Sequence, residues 1–179
     1  KVLNIPAYRL FGSKRRSKIT AYCDTPSESD PEVYKALMKK RLDMGFTHYK
    51  MDLQKRLIQD KPGALSGQSP TDKGLAYWGE YVEAVRSVIG YDKVLGADHF
   101  GYLNVDDGIR LGKAMEKYSL AYIEDVINWD RTNSIQLNKM ITDGSPTPTL
   151  NGEDLFGLEA FRPWIENHAV DIIHPDMET

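Results

Sequence analysis

Residues 94–157 carry three short apolar runs, each closed by an acid: VLGADHFG (94–101), LAYIEDV (120–126) and PTLNGEDLFG (148–157). The acids are Asp98, Glu124 and Glu153, spaced 26 and 29 residues apart. That interval is about the length of one strand–helix repeat. Side chains that do chemistry in parallel α/β folds sit at the carboxyl ends of strands. Acids repeating at this interval therefore converge on one point if the repeats curl into a barrel. A single acid at a strand end is most simply a helix cap or a surface charge. Three in register, with no lysine or arginine in their motifs, suit a hard divalent cation such as Mg²⁺.

The alternation continues outward from these runs. Residues 18–23 read as a first strand and 30–44 as a helix, with Asp30 as N-cap and Pro31 in the first turn. Residues 47–52 read as a second strand. The polar, Gly- and Pro-bearing stretch 53–68 is long for a βα loop, where about 2–6 residues are usual. It is either a lid or a surface insertion. Ser69 is expected to cap the next helix with Pro70 at its first position. Leu75, Trp78, Val82, Val85 and Ile89 then follow at helical spacing up to Gly90. Strands at 94–98, 121–124, 148–151 and 170–174 alternate with helices at 104–118, 132–142 and 155–167.

Such alternation predicts a parallel sheet with helices outside. A doubly wound sheet closes with five or six strands, whereas a (β/α)₈ barrel needs eight and typically about 250 residues. The acids decide between them, because only a barrel gathers the ends of four or five consecutive strands around one centre. The expected fold class is α/β, a TIM-type barrel of which about six strands lie in residues 18–179, with 1–17 as a linker. The chain starts at Lys1 and stops at Thr179 just after an apolar run and a proline. We expect it to be the middle of a longer protein.

The 179 residues are 41% hydrophobic and 27% charged, ordinary for a water-soluble globular chain. A net charge of −3 implies no general affinity for nucleic acid or an anionic membrane. The basic cluster Lys14, Arg15, Arg16 and Lys18 reads as a solvated turn. A lone cysteine, Cys23, excludes an internal disulfide and reads as a buried structural thiol, in keeping with a cytoplasmic location. No signal peptide or membrane-length apolar run is present.

Lys50, in THYKMDL (47–53), stands at the end of the second strand. A lysine inside a packed barrel is costly unless used or paired. It is either a catalytic or substrate-binding lysine, or one half of a rim ion pair with Asp52, which shares its face. Asp125 and Asp154 follow two of the candidate ligands, so strand alternation turns them away, to back up the ligands or cap helices. Asp176, in DIIHPDMET (171–179), ends the sixth strand and is a candidate to orient a catalytic histidine. Of the four histidines, His99 faces away or lies in a loop, His168 ends a helix, and His48 and His174 read as packing residues. There is no GxGxxG, P-loop or GxSxG.

Taken in order, KVLNIPAYRLFGSKRRSKITAYC, YKMD, GAD, YIED, NGED and DIIHPDMET resemble the enolase superfamily, and within it the mandelate racemase subgroup. Each motif is short, but their order and spacing are specific and span the chain. The resemblance implies an α+β capping domain before a modified (β/α)₇β barrel. It also implies Mg²⁺ held by Asp98, Glu124 and Glu153. Such enzymes remove a proton α to a carboxylate, and the metal stabilises the resulting enediolate. Asp176 matches the acid of an Asp–His dyad whose histidine comes from a seventh strand. The family's second-strand motif is commonly Lys-x-Lys, and here it is Lys50-Met51-Asp52. Loss of the second lysine disfavours racemisation, which needs a base on each face. It favours dehydration of a sugar acid. A racemase or epimerase of a hydroxy acid and a metal-binding, non-catalytic relative are the alternatives. The expected partners are a small-molecule carboxylate substrate and further copies of the chain in a homo-oligomer, with neither nucleic acid nor membrane.

Overall fold

The computed structural model describes residues 2–25, 28–98, 100, 103–127 and 134–175. Along them run β1 (Cys23–Thr25), α1 (Pro31–Asp43), β2 (His48–Asp52), a hairpin of β3 (Leu65–Ser66) and β4 (Ser69–Pro70), and α2 (Asp72–Ile89). These are followed by β5 (Val94–Asp98), α3 (Val105–Met115), β6 (Tyr122–Glu124), α4 (Ser134–Gly144), β7 (Thr149–Asn151), α5 (Gly157–Glu166) and β8 (Ile172–Ile173). The main sheet has six strands in the order β1-β2-β5-β6-β7-β8, and every neighbouring pair is parallel.

Spatial order equals chain order, so the sheet has no switch point, as a doubly wound sheet must. It winds in one direction, as a barrel wall does. The curl is visible in one contact. The ring of Tyr22, just before β1, meets the ring of His174, just after β8, edge-on with centroids 6.2 Å apart. Side chains flanking the two outermost strands thus meet across the concave face.

The helices form where their caps dictate. Asp30 accepts the Glu32 N–H at 2.9 Å and Pro31 starts α1, which buries Tyr34 and Met38. Asn104 Oδ1 accepts the Asp107 N–H at 2.8 Å to open α3. The longest helix, α2, buries Leu75, Trp78, Tyr81, Val82, Val85 and Ile89, and Gly90 ends it at φ 72°. Each fully buried Leu or Val contributes about 1.5–3 kcal/mol. Arg86, also buried on α2, donates to the carbonyls of Gly90 and Lys93 before β5 and of Tyr118 and Ser119 before β6. One guanidinium therefore anchors the approaches to two of the acid-bearing strands.

Three local expectations are corrected. The first strand is Cys23–Thr25 rather than 18–23, because laddering begins only where Cys23 pairs with Tyr49, and Ile19 is left 85% exposed. Thr71, not Ser69, caps α2 and accepts the Gly74 N–H at 3.1 Å. Ser69 and Pro70 instead form β4. The stretch 53–68 is not a loose insertion: Leu53, Leu57, Ile58 and Ala64 are buried, and the Ala64 carbonyl accepts from Thr71. No described helix is long and apolar enough to cross a membrane.

Candidate metal centre

The register of the ladders builds the site. Lys50 on β2 pairs with Gly96 on β5, which pairs with Tyr122 on β6, and Asp52 pairs with Asp98. Registered neighbours in a parallel ladder point to the same face, and side chains two residues on return to it. Lys50, Asp98, Tyr122 and Glu124 therefore share the concave face. Gly96 makes room, since a Cβ there would run into the Tyr122 ring.

At the top of this face the Lys50 ammonium lies 2.7 Å from Asp98 Oδ2 and 3.3 Å from Glu124 Oε2. All three side chains are almost wholly buried. The other oxygen of Glu124 is 2.6 Å from His174 Nδ1. Tyr22 sets its ring 5.5 Å from the ammonium. Burial alone would lower the Lys50 pKa, but the hydrogen bond and charge of Asp98, then the charge of Glu124, carry it above the ordinary lysine value. Glu124 is pushed above the usual carboxylate range by burial and then by the charge of Asp98, with Lys50 and His174 pulling the other way.

Among the described residues, two trios bring ligand atoms within 4.8 Å of one another: Glu124, Glu153 and His174, and Asp98, Glu124 and Asp125. Glu124 belongs to both, so it joins Asp98 on one side to Glu153 on the other. Glu153 follows Gly152, whose φ of 121° turns the chain at the end of β7. The donors are chiefly carboxylate oxygens, which suit a hard dication such as Mg²⁺. The site already draws a positive charge, the Lys50 ammonium, between two of the acids.

Two expectations change here. Asp125 does not turn away: its φ of 49° breaks the strand alternation and brings it beside Asp98 and Glu124. His174 is no packing residue, because it hydrogen-bonds a candidate ligand. Its signal lay in alternation: Ile172 pairs with Leu150, which pairs with Glu124, and His174 is two residues on. Asp154 is exposed and lines a groove of about 340 Å³ with Ser134 and Trp164, away from the acids. His48 lies at the start of β2, its Nδ1 3.0 Å from the Thr47 hydroxyl. His168 follows the end of α5, as expected. Asp176, His99 and the expected helix start at 132 lie outside the described residues.

The enolase C-terminal domain-like family model matches residues 33–179. The chain belongs to this family. Its fold is that of the enolase-superfamily barrel. The solved mandelate racemase/muconate lactonizing enzyme-like protein from Rubrobacter xylanophilus superposes with a TM-score of 0.83 at 22% identity, covering 98% of this chain and 48% of that one. A member of the enolase superfamily from Salmonella Typhimurium gives 0.81 at 21% identity, with coverages of 98% and 47%. In sequence, this enolase-type chain is 27% identical to the D-xylonate dehydratase of Haloferax volcanii, over 99% of the chain and 42% of that relative. It is 24% identical to the D-gluconate dehydratase of Thermoproteus tenax, over 97% of the chain and 33% of that relative. The chain thus spans less than half the length of these relatives.

Proposed function

We propose that this chain carries the metal site and part of the proton-transfer machinery of a Mg²⁺-dependent lyase that dehydrates a sugar acid. The observation that carries the reading is the pair of buried strand-end carboxylates, Asp98 and Glu124, with a buried ammonium between them. The similarity to dehydratases named for xylonate and gluconate supports the substrate class. On this reading residues 18–179 are part of the barrel domain, entered through 1–17, and the capping domain and last strands lie elsewhere in the protein.

Asp98, Glu124 and Glu153 would hold Mg²⁺. When bound, Mg²⁺ supplies a fixed positive charge beside the substrate carboxylate and lowers the cost of removing its α-proton. Lys50, held as a cation, binds a substrate carboxylate oxygen and opposes the charge that builds up as the proton leaves. The base would be a histidine oriented by Asp176. The electrons of the broken C–H bond give an enediolate, whose collapse expels the β-hydroxyl, protonated by an acid, as water. The resulting enol tautomerises to a 2-keto acid.

The test is a screen of the full-length protein against sugar acids with Mg²⁺, following 2-keto-3-deoxy acid formation. Turnover with at least one acid is expected. Deuterium entering the α-position without dehydration would point instead to an epimerase. Mg²⁺ uptake with no exchange on any acid would mean a non-catalytic relative. Homo-oligomer formation is part of the same proposal and is read by sedimentation.

A further inference from the structure

The imidazole of His174 has no step in the chemistry above, yet it is built into the site from several sides. Its Nδ1 lies 2.6 Å from Glu124 Oε1. Its backbone N–H donates to the Asn151 carbonyl at 3.1 Å, which sets the residue at the end of β8. Pro175 follows it and disfavours a helical backbone at His174. Tyr22 packs edge-on against the ring. Direction, backbone and ring face are therefore all constrained.

Glu124 needs such a partner. Its side chain is 1% exposed, and Lys50 favours Asp98 at 2.7 Å over Glu124 Oε2 at 3.3 Å. A buried carboxylate held only by a shared, longer contact can turn about its last torsion, which is broad. A donor on Oε1 removes that freedom. With Glu124 ionised the carboxylate only accepts, so the ring hydrogen sits on Nδ1.

We propose that His174 is a positioning residue for Glu124, fixing the plane of the carboxylate so that Oε2 stays turned toward Asp98. The proposal rests on the reading of Asp98, Glu124 and Glu153 as a divalent-cation site. Partners that hydrogen-bond a ligating group typically change metal affinity by about 10–100-fold. The effect should follow the N–H donor and not the volume of the ring.

The experiment is calorimetric titration of Mg²⁺ into the full-length protein and three variants, His174→Ala, His174→Leu and His174→Asn. The asparagine amide nitrogen sits as many bonds from the backbone as Nδ1 and restores the donor, while leucine restores volume alone. Affinity should fall about ten-fold in the alanine and leucine variants and stay within about three-fold of the parent in the asparagine variant. The His174 side chain is 29% exposed, so truncation should leave the fold intact, as a thermal melt of each variant checks. Parent-like affinity in His174→Ala or His174→Leu would overturn the positioning role alone, as would an asparagine variant as weak as alanine. No Mg²⁺ uptake by the parent would overturn the metal reading and this role with it.

Discussion

Replacing Lys50 by Met tests how the site balances charge. Methionine keeps the length and apolar stem of the lysine and removes the ammonium. The side chains left behind, Asp98 and Glu124, are 0% and 1% exposed, so water cannot compensate them. Removing one partner of a buried ion pair costs about 3–5 kcal/mol, most of it the stranded charge. For a domain of this size that is a fall in melting temperature of roughly 6–20 °C. A divalent cation bound by the same acids should supply the missing charge. Mg²⁺ at about 100 times its dissociation constant adds about 2.7 kcal/mol, and more where it also relieves stranded carboxylates. Thermal melts of the full-length parent and Lys50→Met, in chelator and in excess Mg²⁺, give the four values needed. Lys50→Met should melt well below the parent in chelator, and the gap should narrow with Mg²⁺. A variant as stable as the parent in chelator, or a gap that Mg²⁺ leaves unchanged, would refute the reasoning.

Other perturbations probe the scaffold. Gly96→Ala places a methyl group where the Tyr122 ring stands. It should cost about 1–3 kcal/mol by overpacking and weaken Mg²⁺ binding in a calorimeter, because Tyr122 lies on the same face as Glu124; parent-like binding would argue against the layered face. Gly74→Ala drives a methyl group into the Ala64 backbone carbonyl. Denaturant melts should show a loss of similar size, whereas an unaffected variant would mean that 53–68 is loosely attached. Glu124 has a folded pKa raised above the ordinary 4.5. Its contribution to stability is therefore full below pH 4.5 and is lost as pH rises through the raised value. In chelator, the stability of the parent relative to Glu124→Gln should fall with pH over that window, and a pH-independent difference would contradict it.

Much of the fold was legible because local signals agreed. Asp30 is a helix cap by residue type and proved to be so by hydrogen bond, and the helix expected from 104 opens on an Asn104 cap. The apolar runs ending in Asp98, Glu124 and Asn151–Glu153 proved to be strands in the expected order. Ser69-Pro70 misled because a Ser-Pro pair is also a good helix start. Thr71 lies one residue past the proline and makes the capping bond, which left Ser69 and Pro70 to pair with Leu65 and Ser66. That strand-end acids such as Asp98 and Glu124 come together was legible from their spacing, but the groups they meet were not. That Lys50 reaches both Asp98 and Glu124 depends on the register of β2, β5 and β6, which no local pattern specifies. His174 depends on the curl that brings β8 round to β6, and Asp125 on a backbone turn at φ 49°.

The central claim is that Asp98, Glu124 and Glu153 hold a divalent cation. It is tested most directly by titrating Mg²⁺ into the full-length protein and into Glu124→Gln in a calorimeter. Saturable binding by the parent and a loss of at least about ten-fold in affinity in the variant are the expected results. Equal affinity in the two proteins would contradict it.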